Sequence, residues 1–111
     1  MTEYPATVFH SVMAEGKLKL DELGISFDYK QRMGQPLHYN WRDISQVEMG
    51  ISVTGKLKKD FTLHFYSQTE VRFSSKHAKE ILQIIEQHIG RAKFTQAKSL
   101  LNFVASPFRG K

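Results

Sequence analysis

The sequence predicts a mostly β domain of about seven short strands, closed by one α-helix. Two observations support this prediction. Over most of residues 7–73, apolar residues alternate with polar residues at the period of two that half-buried strands show. After residue 75, the apolar period changes to that of an amphipathic helix. At 111 residues, the chain is expected to form a single domain, 1–111.

Each predicted strand is bounded by residues that favour turns. The first strand covers residues 7–13, and a turn at 14–16 follows because glycine readily adopts the positive φ that tight turns need. A loop is expected at 31–36 and another at 54–59, since both are rich in glycine and polar residues. The remaining predicted strands cover residues 17–21, 25–29, 37–41, 47–53, 61–66 and 71–73.

The helix is predicted over about residues 76–89. Ser75 is its expected N-cap, since a serine hydroxyl can accept a hydrogen bond from a first-turn amide. Gly90 is its expected end. The apolar stripe consists of Ala78, Ile81, Leu82, Ile85 and Ile89.

A second short helix is predicted near residues 94–105, ending before Pro107. The stretch 91–111 carries an apolar stripe and five basic residues with no acidic one. It is expected either to pack back on the sheet or to contact a membrane or a partner. Strands and a helix that share one apolar core follow the plan of a pleckstrin-homology-like bent antiparallel sheet or barrel. A split barrel of another lineage is the alternative.

Trp41, the only tryptophan, lies at the end of one predicted strand and just before the next. A lone tryptophan in this position could stack on a ligand, but it is more commonly part of a core, because it buries a large area and needs one partner for its indole N–H. We therefore expect Trp41 to be buried at the joint between two halves of the sheet.

Composition excludes several classes of function. The chain has no cysteine, which excludes disulfides, thiolate catalysis and cysteine-ligated metal sites. The N-terminal stretch lacks the basic and apolar regions of a signal peptide, and no apolar run approaches the ~20 residues needed to cross a bilayer. We expect a cytoplasmic protein, with association at a membrane surface as a second possibility.

No catalytic or metal-binding pattern is present, so we expect neither an enzyme nor a cofactor. The five histidines are scattered, although His38 and His64 could meet across the sheet. Ser74 and Ser75 lie at a helix start, where capping explains them, and no nucleophile-elbow or phosphate-loop motif occurs.

Charge is distributed unevenly along the chain. Residues 1–55 hold five basic and seven acidic residues, a balance of −2, whereas residues 56–111 hold eleven and four, a balance of +7. This asymmetry indicates an anionic partner for the C-terminal half, or else a basic surface that is simply solvated. The candidate binding residues are Lys56, Lys58, Lys59, Arg91, Lys93 and Lys98.

The sequence resembles a small bacterial family associated with mannose-type phosphotransferase operons. The resemblance covers about Gly16 to Val104. It rests on the segments GKLKLDELG, ISFDY, NWRDI, the Gly55–Lys59 loop, VRFSSKHAKEILQII and KSLLNFV, in this order.

The resemblance implies a pleckstrin-homology-like accessory or regulatory protein of sugar uptake, without established catalytic residues, that binds a phosphotransferase-system protein. A peripheral module for anionic membranes is the alternative. A nucleic-acid-binding regulator ranks third, because no helix-turn-helix pattern is present.

Overall fold

The computed structural model describes residues 2–10, 12–31 and 36–96. The fold is mostly β, with eight strands in one unclosed sheet and one α-helix in the described residues. The elements are β1 (Thr2–His10), β2 (Val12–Leu20), β3 (Gly24–Tyr29), β4 (Leu37–Asn40), β5 (Ile44–Ile51), β6 (Leu57–Phe65), β7 (Glu70–Ser74), α1 (Ala78–Ile89) and β8 (Phe94–Gln96), with 3₁₀ turns at Trp41–Asp43 and Arg91–Lys93.

The sheet has the strand order β4-β3-β2-β1-β7-β6-β5-β8. Seven of these strands pair antiparallel, whereas β8 pairs parallel to β5, so the sheet is mixed. The first four strands form one meander, and β5, β6 and β7 form a second. Pairing between β1 and β7 joins the two halves.

The core lies between the sheet and α1. Three fully buried phenylalanines stand at its centre, and the ring of Phe73 lies 5.8 Å from the rings of both Phe27 and Phe61. The helix covers this cluster with a single apolar face, as its 3.6-residue period predicts. The buried residues of that face are Ala78, Ile81, Leu82 and Ile85.

Trp41 is buried, as predicted, with 7% of its surface exposed. Its indole Nε1 donates a hydrogen bond to the Asp21 carbonyl at 2.8 Å, and its ring stacks on His88 of α1 at 4.4 Å. The 3₁₀ turn that contains it connects β4 and β5, which lie in different halves of the sheet. The tryptophan therefore ties both halves to the helix.

The predicted turn at residues 14–16 is wrong, because these residues lie within β2. β1 ends instead at His10 and β2 begins at Val12. Gly16 is required there for close packing rather than for a turn. A Cβ at this position would overlap the Asp28 carbonyl oxygen and would lie 2.7 Å from the Phe27 ring.

The helix and the loop before β6 are both shorter than predicted. α1 begins at Ala78, and its N-cap residue is His77 rather than Ser75. The Ser75 hydroxyl still accepts a hydrogen bond from the His77 amide at 3.0 Å, and it also donates one to the Pro5 carbonyl at 2.7 Å. The predicted loop at 54–59 is wrong at its end, since β6 already begins at Leu57.

The predicted second helix near 94–105 is wrong at its start. Residues Phe94–Gln96 form β8, which pairs with Val47–Met49 of β5. Phe94 is partly buried against the core, so the chain packs back on the sheet at this point, as one of the two alternatives predicted. The rest of that prediction, from residue 97 onward, lies outside the described residues.

Candidate functional site

Five lysines lie at one end of the molecule, where β6 and α1 begin, and we call this region the basic end. The Ser75 amide donates to the Lys59 carbonyl at 3.0 Å, which places the approach to α1 beside the start of β6. Lys79 and Leu57 also line one groove. Two groups of lysines that are well separated in sequence therefore meet at this end as one cluster. Its members are Lys56, Lys58, Lys59, Lys76 and Lys79.

The positive charge of the basic end is not neutralised within the described residues, where none of the five lysines forms an ion pair. The acidic residues nearest to these lysines in sequence are Asp60 and Glu80, and Glu80 contacts His77 at 3.8 Å instead. Lys58 and Lys59 are consecutive in β6, so their side chains leave opposite faces of the sheet. The lysines therefore surround this end rather than cover one face.

The turn between β5 and β6 presents an apolar residue at the basic end. Val53 is 70% exposed. The turn is held by the Ser52 amide, which donates to the Lys56 carbonyl at 2.8 Å, and by the Lys56 amide, which donates to the Ser52 hydroxyl at 3.1 Å. Gly55 has a φ of 87°, a conformation that favours glycine. Val53 is thus displayed on an ordered tip.

The opposite end of the molecule, which we call the acidic end, carries the carboxylates Asp21, Glu22 and Asp43, with the cations Arg42 and Lys93 beside them. Both β6 and α1 run away from the basic end. At the far end of β6, the Tyr66 amide donates to the Asp43 carbonyl at 3.1 Å. Asp21 and Glu22 lie beside the same turn, since Trp41 bonds the Asp21 carbonyl. The nine residues of β6 imply a separation of roughly 30 Å between the two ends.

The other predicted binding residues do not lie at the start of β6 or of α1, although Arg91 lines the same groove as Lys79. Arg91 Nε donates to Glu86 Oε2 at 2.7 Å, and this hydrogen bond raises the pKa of Arg91. Lys93 Nζ donates to the Ile44 carbonyl at 3.1 Å. Both cations are therefore engaged within the fold. Lys98 lies outside the described residues.

A groove of about 450 Å³ runs between α1 and the β5–β8 edge of the sheet. Its floor is apolar and its rim is charged, with Lys79, Glu86 and Arg91 on the rim. Its four apolar lining residues are Met49, Leu57, Leu82 and Phe94. This combination suits an apolar side chain of a partner that is flanked by a carboxylate.

His64 lies between two carboxylates that sequence reasoning missed. Its Nε2 lies 2.9 Å from Glu48 Oε1, and its Nδ1 lies 3.3 Å from Glu70 Oε1. Because the carboxylates bond opposite ring nitrogens, the three residues cannot converge on one ion. Within the described residues, no group of three or more His, Asp or Glu side chains is placed to hold a metal. The trio is best explained as a link across β5, β6 and β7.

His38 and His64, which could have met across the sheet, have separate partners. β4 and β6 approach each other, since the Tyr39 ring stacks on Phe65 at 4.5 Å, but His38 and His64 are the neighbours of these residues in their strands and so lie on the other face. His38 Nδ1 lies 2.9 Å from the Ser26 hydroxyl and its Nε2 lies 3.2 Å from Asn40 Oδ1. Both of its ring nitrogens are therefore occupied by local contacts.

None of the helices in the described ranges is long and apolar enough to cross a membrane.

Comparison with known proteins gives a family and a fold. No curated protein matches the chain. The solved C-terminal domain of an unknown protein from Leishmania infantum is similar in structure, with a TM-score of 0.69 over 82% of this chain and 84% of that one. The two are 8% identical, so this likeness concerns the fold alone. Residues 2–108 match the family described as a domain of unknown function (DUF956), and the chain belongs to that family.

Proposed function

We propose that the protein is a non-enzymatic accessory or regulatory protein of a mannose-type sugar phosphotransferase system that binds one of its protein components. The ordered motifs from Gly16 to Val104 support the link to such operons. The family match over residues 2–108 is consistent with motifs that extend along nearly the whole chain.

We also propose that the fold is pleckstrin-homology-like. Two antiparallel meanders joined through β1 and β7, followed by one amphipathic helix, support this assignment. The contact between His88 of α1 and Trp41, in the turn between the two halves, supports the proposal that α1 is a closing helix. Because a fold does not determine a function, the proposed function rests on the surface of the molecule.

The observation that carries the proposal is the groove beside α1. Its apolar floor offers burial to an anchoring side chain, and apolar anchors in pockets commonly dominate protein interfaces. Lys79 forms no ion pair with another described residue, so it favours a carboxylate on the partner. We therefore expect the partner segment to carry an apolar anchor with an acidic neighbour.

Replacing Gln83 with tryptophan tests this proposal. Gln83 is exposed and lines the groove, so a bulky ring there should fill the space that the partner's anchor needs. We expect the wild-type protein to bind one purified subunit of the mannose-type transporter, measured by titration calorimetry. Gln83→Trp should weaken this binding at least tenfold, about 1.4 kcal/mol.

Gln87→Trp is the matched control, because Gln87 is an exposed glutamine on the same helix that lies outside the groove. It should bind the subunit as the wild type does. Two results would overturn the proposal: no subunit binds the wild-type protein, or both tryptophan variants weaken binding equally.

A further inference from the structure

We infer that the basic end binds an anionic lipid surface, with Val53 at the level of the headgroups and the acidic end directed away from the bilayer. This inference goes beyond partner binding and does not depend on it. It rests on the distribution of charge along the molecule, on the position of Val53 and on the shape of the end.

The charge distribution favours one orientation of the molecule at a negatively charged surface. The five lysines of the basic end have no ion-pair partner among the described residues. Asp21, Glu22 and Asp43 lie roughly 30 Å away, at the other end of β6. That distance is about three Debye lengths at 0.1 M salt, so a negative surface attracts the lysines without repelling the acids strongly.

The arrangement of the lysines at the basic end favours binding to an extended surface over binding to a small ligand. The lysines project on both faces of β6 and from the start of α1, and therefore do not converge on one point as they would around a single phosphate. A flat layer of headgroups can contact all of them at once. An exposed valine on an ordered tip, with Lys56 close by, can enter the interfacial region while the ammonium groups remain at the phosphates.

The strength of the contact follows from the number of lysines. Each lysine close to an anionic leaflet strengthens binding about fivefold. The double variant Lys58→Glu/Lys59→Glu should therefore lower the partition onto vesicles by about 30-fold or more. Binding of the wild-type protein should also disappear at 1 M salt, where the Debye length falls to about 3 Å.

Vesicle sedimentation with the full chain tests the inference. The vesicles contain phosphatidylcholine alone or with a third of phosphatidylglycerol. The matched control is Lys30→Glu/Arg42→Glu, which changes the net charge by the same amount at exposed positions outside the basic end. We expect the wild type and the control to bind anionic vesicles, and the basic-end variant to lose binding while its unfolding temperature stays the same. Equal loss in both double variants would overturn the inference, because binding would then follow net charge alone.

The tip can be tested by a second pair of variants. Val53→Ser should weaken vesicle binding several-fold. Leu23→Ser should leave it unchanged, because Leu23 is equally exposed, at 73%, but lies at the acidic end.

Gln83→Trp should bind vesicles as the wild type does, which separates vesicle binding at the basic end from partner binding in the groove. If the wild type does not bind anionic vesicles at low salt, or if Lys58→Glu/Lys59→Glu abolishes binding to promoter DNA but not to vesicles, the inference is wrong.

Discussion

Replacing Phe73 with alanine is expected to lower the free energy of unfolding by about 3–5 kcal/mol. Phe73 is fully buried, and its ring contacts both Phe27 of the first half of the sheet and Phe61 of the second. The change removes the side chain that joins these halves and leaves a cavity beneath α1. Because domains of this size have a total stability of about 5–15 kcal/mol, the variant should lose a large share of its stability. Urea denaturation followed by circular dichroism measures the loss.

Two other substitutions serve as controls for this experiment. Phe73→Leu keeps most of the volume and should cost less than about 1.5 kcal/mol. Val53→Ala, at a side chain that is 70% exposed, should change the stability by less than about 0.5 kcal/mol. A loss below about 1 kcal/mol for Phe73→Ala would contradict a core centred on this residue.

Replacing Trp41 with alanine is expected to have an effect of similar size, about 3–5 kcal/mol. The change removes the buried ring, its stacking on His88 and the hydrogen bond from its indole to the Asp21 carbonyl. It should also loosen α1 from the turn between β4 and β5. Hydrogen exchange should then show faster exchange of the last turn of α1 than of the centre of the sheet.

Trp41→Phe separates the hydrogen bond from the burial. It keeps an aromatic ring, so we expect a cost of about 1–2 kcal/mol, most of it from the lost indole bond and a small cavity. If Trp41→Ala and Trp41→Phe were equally destabilising, the hydrogen bond rather than the buried ring would be the main contribution. If neither destabilised the protein, Trp41 would not belong to the core.

Much of the fold could be predicted from local patterns. Phe61, Leu63 and Phe65 alternate with polar residues and are buried, as expected for one face of a strand. The apolar stripe of α1 likewise identified the face that packs on the sheet. These predictions succeeded because a single buried face leaves a periodic signal in the sequence.

Other features depend on contacts between distant residues and leave no such signal. Gly16 suggested a turn, whereas it allows β2 to approach the Asp28 carbonyl and the Phe27 ring, and a sequence does not distinguish these two uses of glycine. The three residues of β8 are too few for a period, and their pairing with β5 is parallel and distant. Both differences arise from tertiary packing.

The candidate site was predicted only in part. Lys56, Lys58 and Lys59 stood out because they are close in sequence. Lys76 and Lys79 join them because the Ser75 amide bonds the Lys59 carbonyl, a contact that spans the whole β6–β7 hairpin. The carboxylates beside His64 come from neighbouring strands in the same way. Composition indicated that the C-terminal half is basic, but only the fold places acidic residues at the opposite end.

The most direct test of the proposed function is mannose uptake by a strain that lacks the gene and is complemented with defined variants. We predict that deletion changes the rate of uptake, that the wild-type protein and Gln87→Trp restore it, and that Gln83→Trp does not, at equal protein levels. Unchanged uptake after deletion, or equal restoration by both tryptophan variants, would contradict a role for the groove in a mannose-type phosphotransferase system.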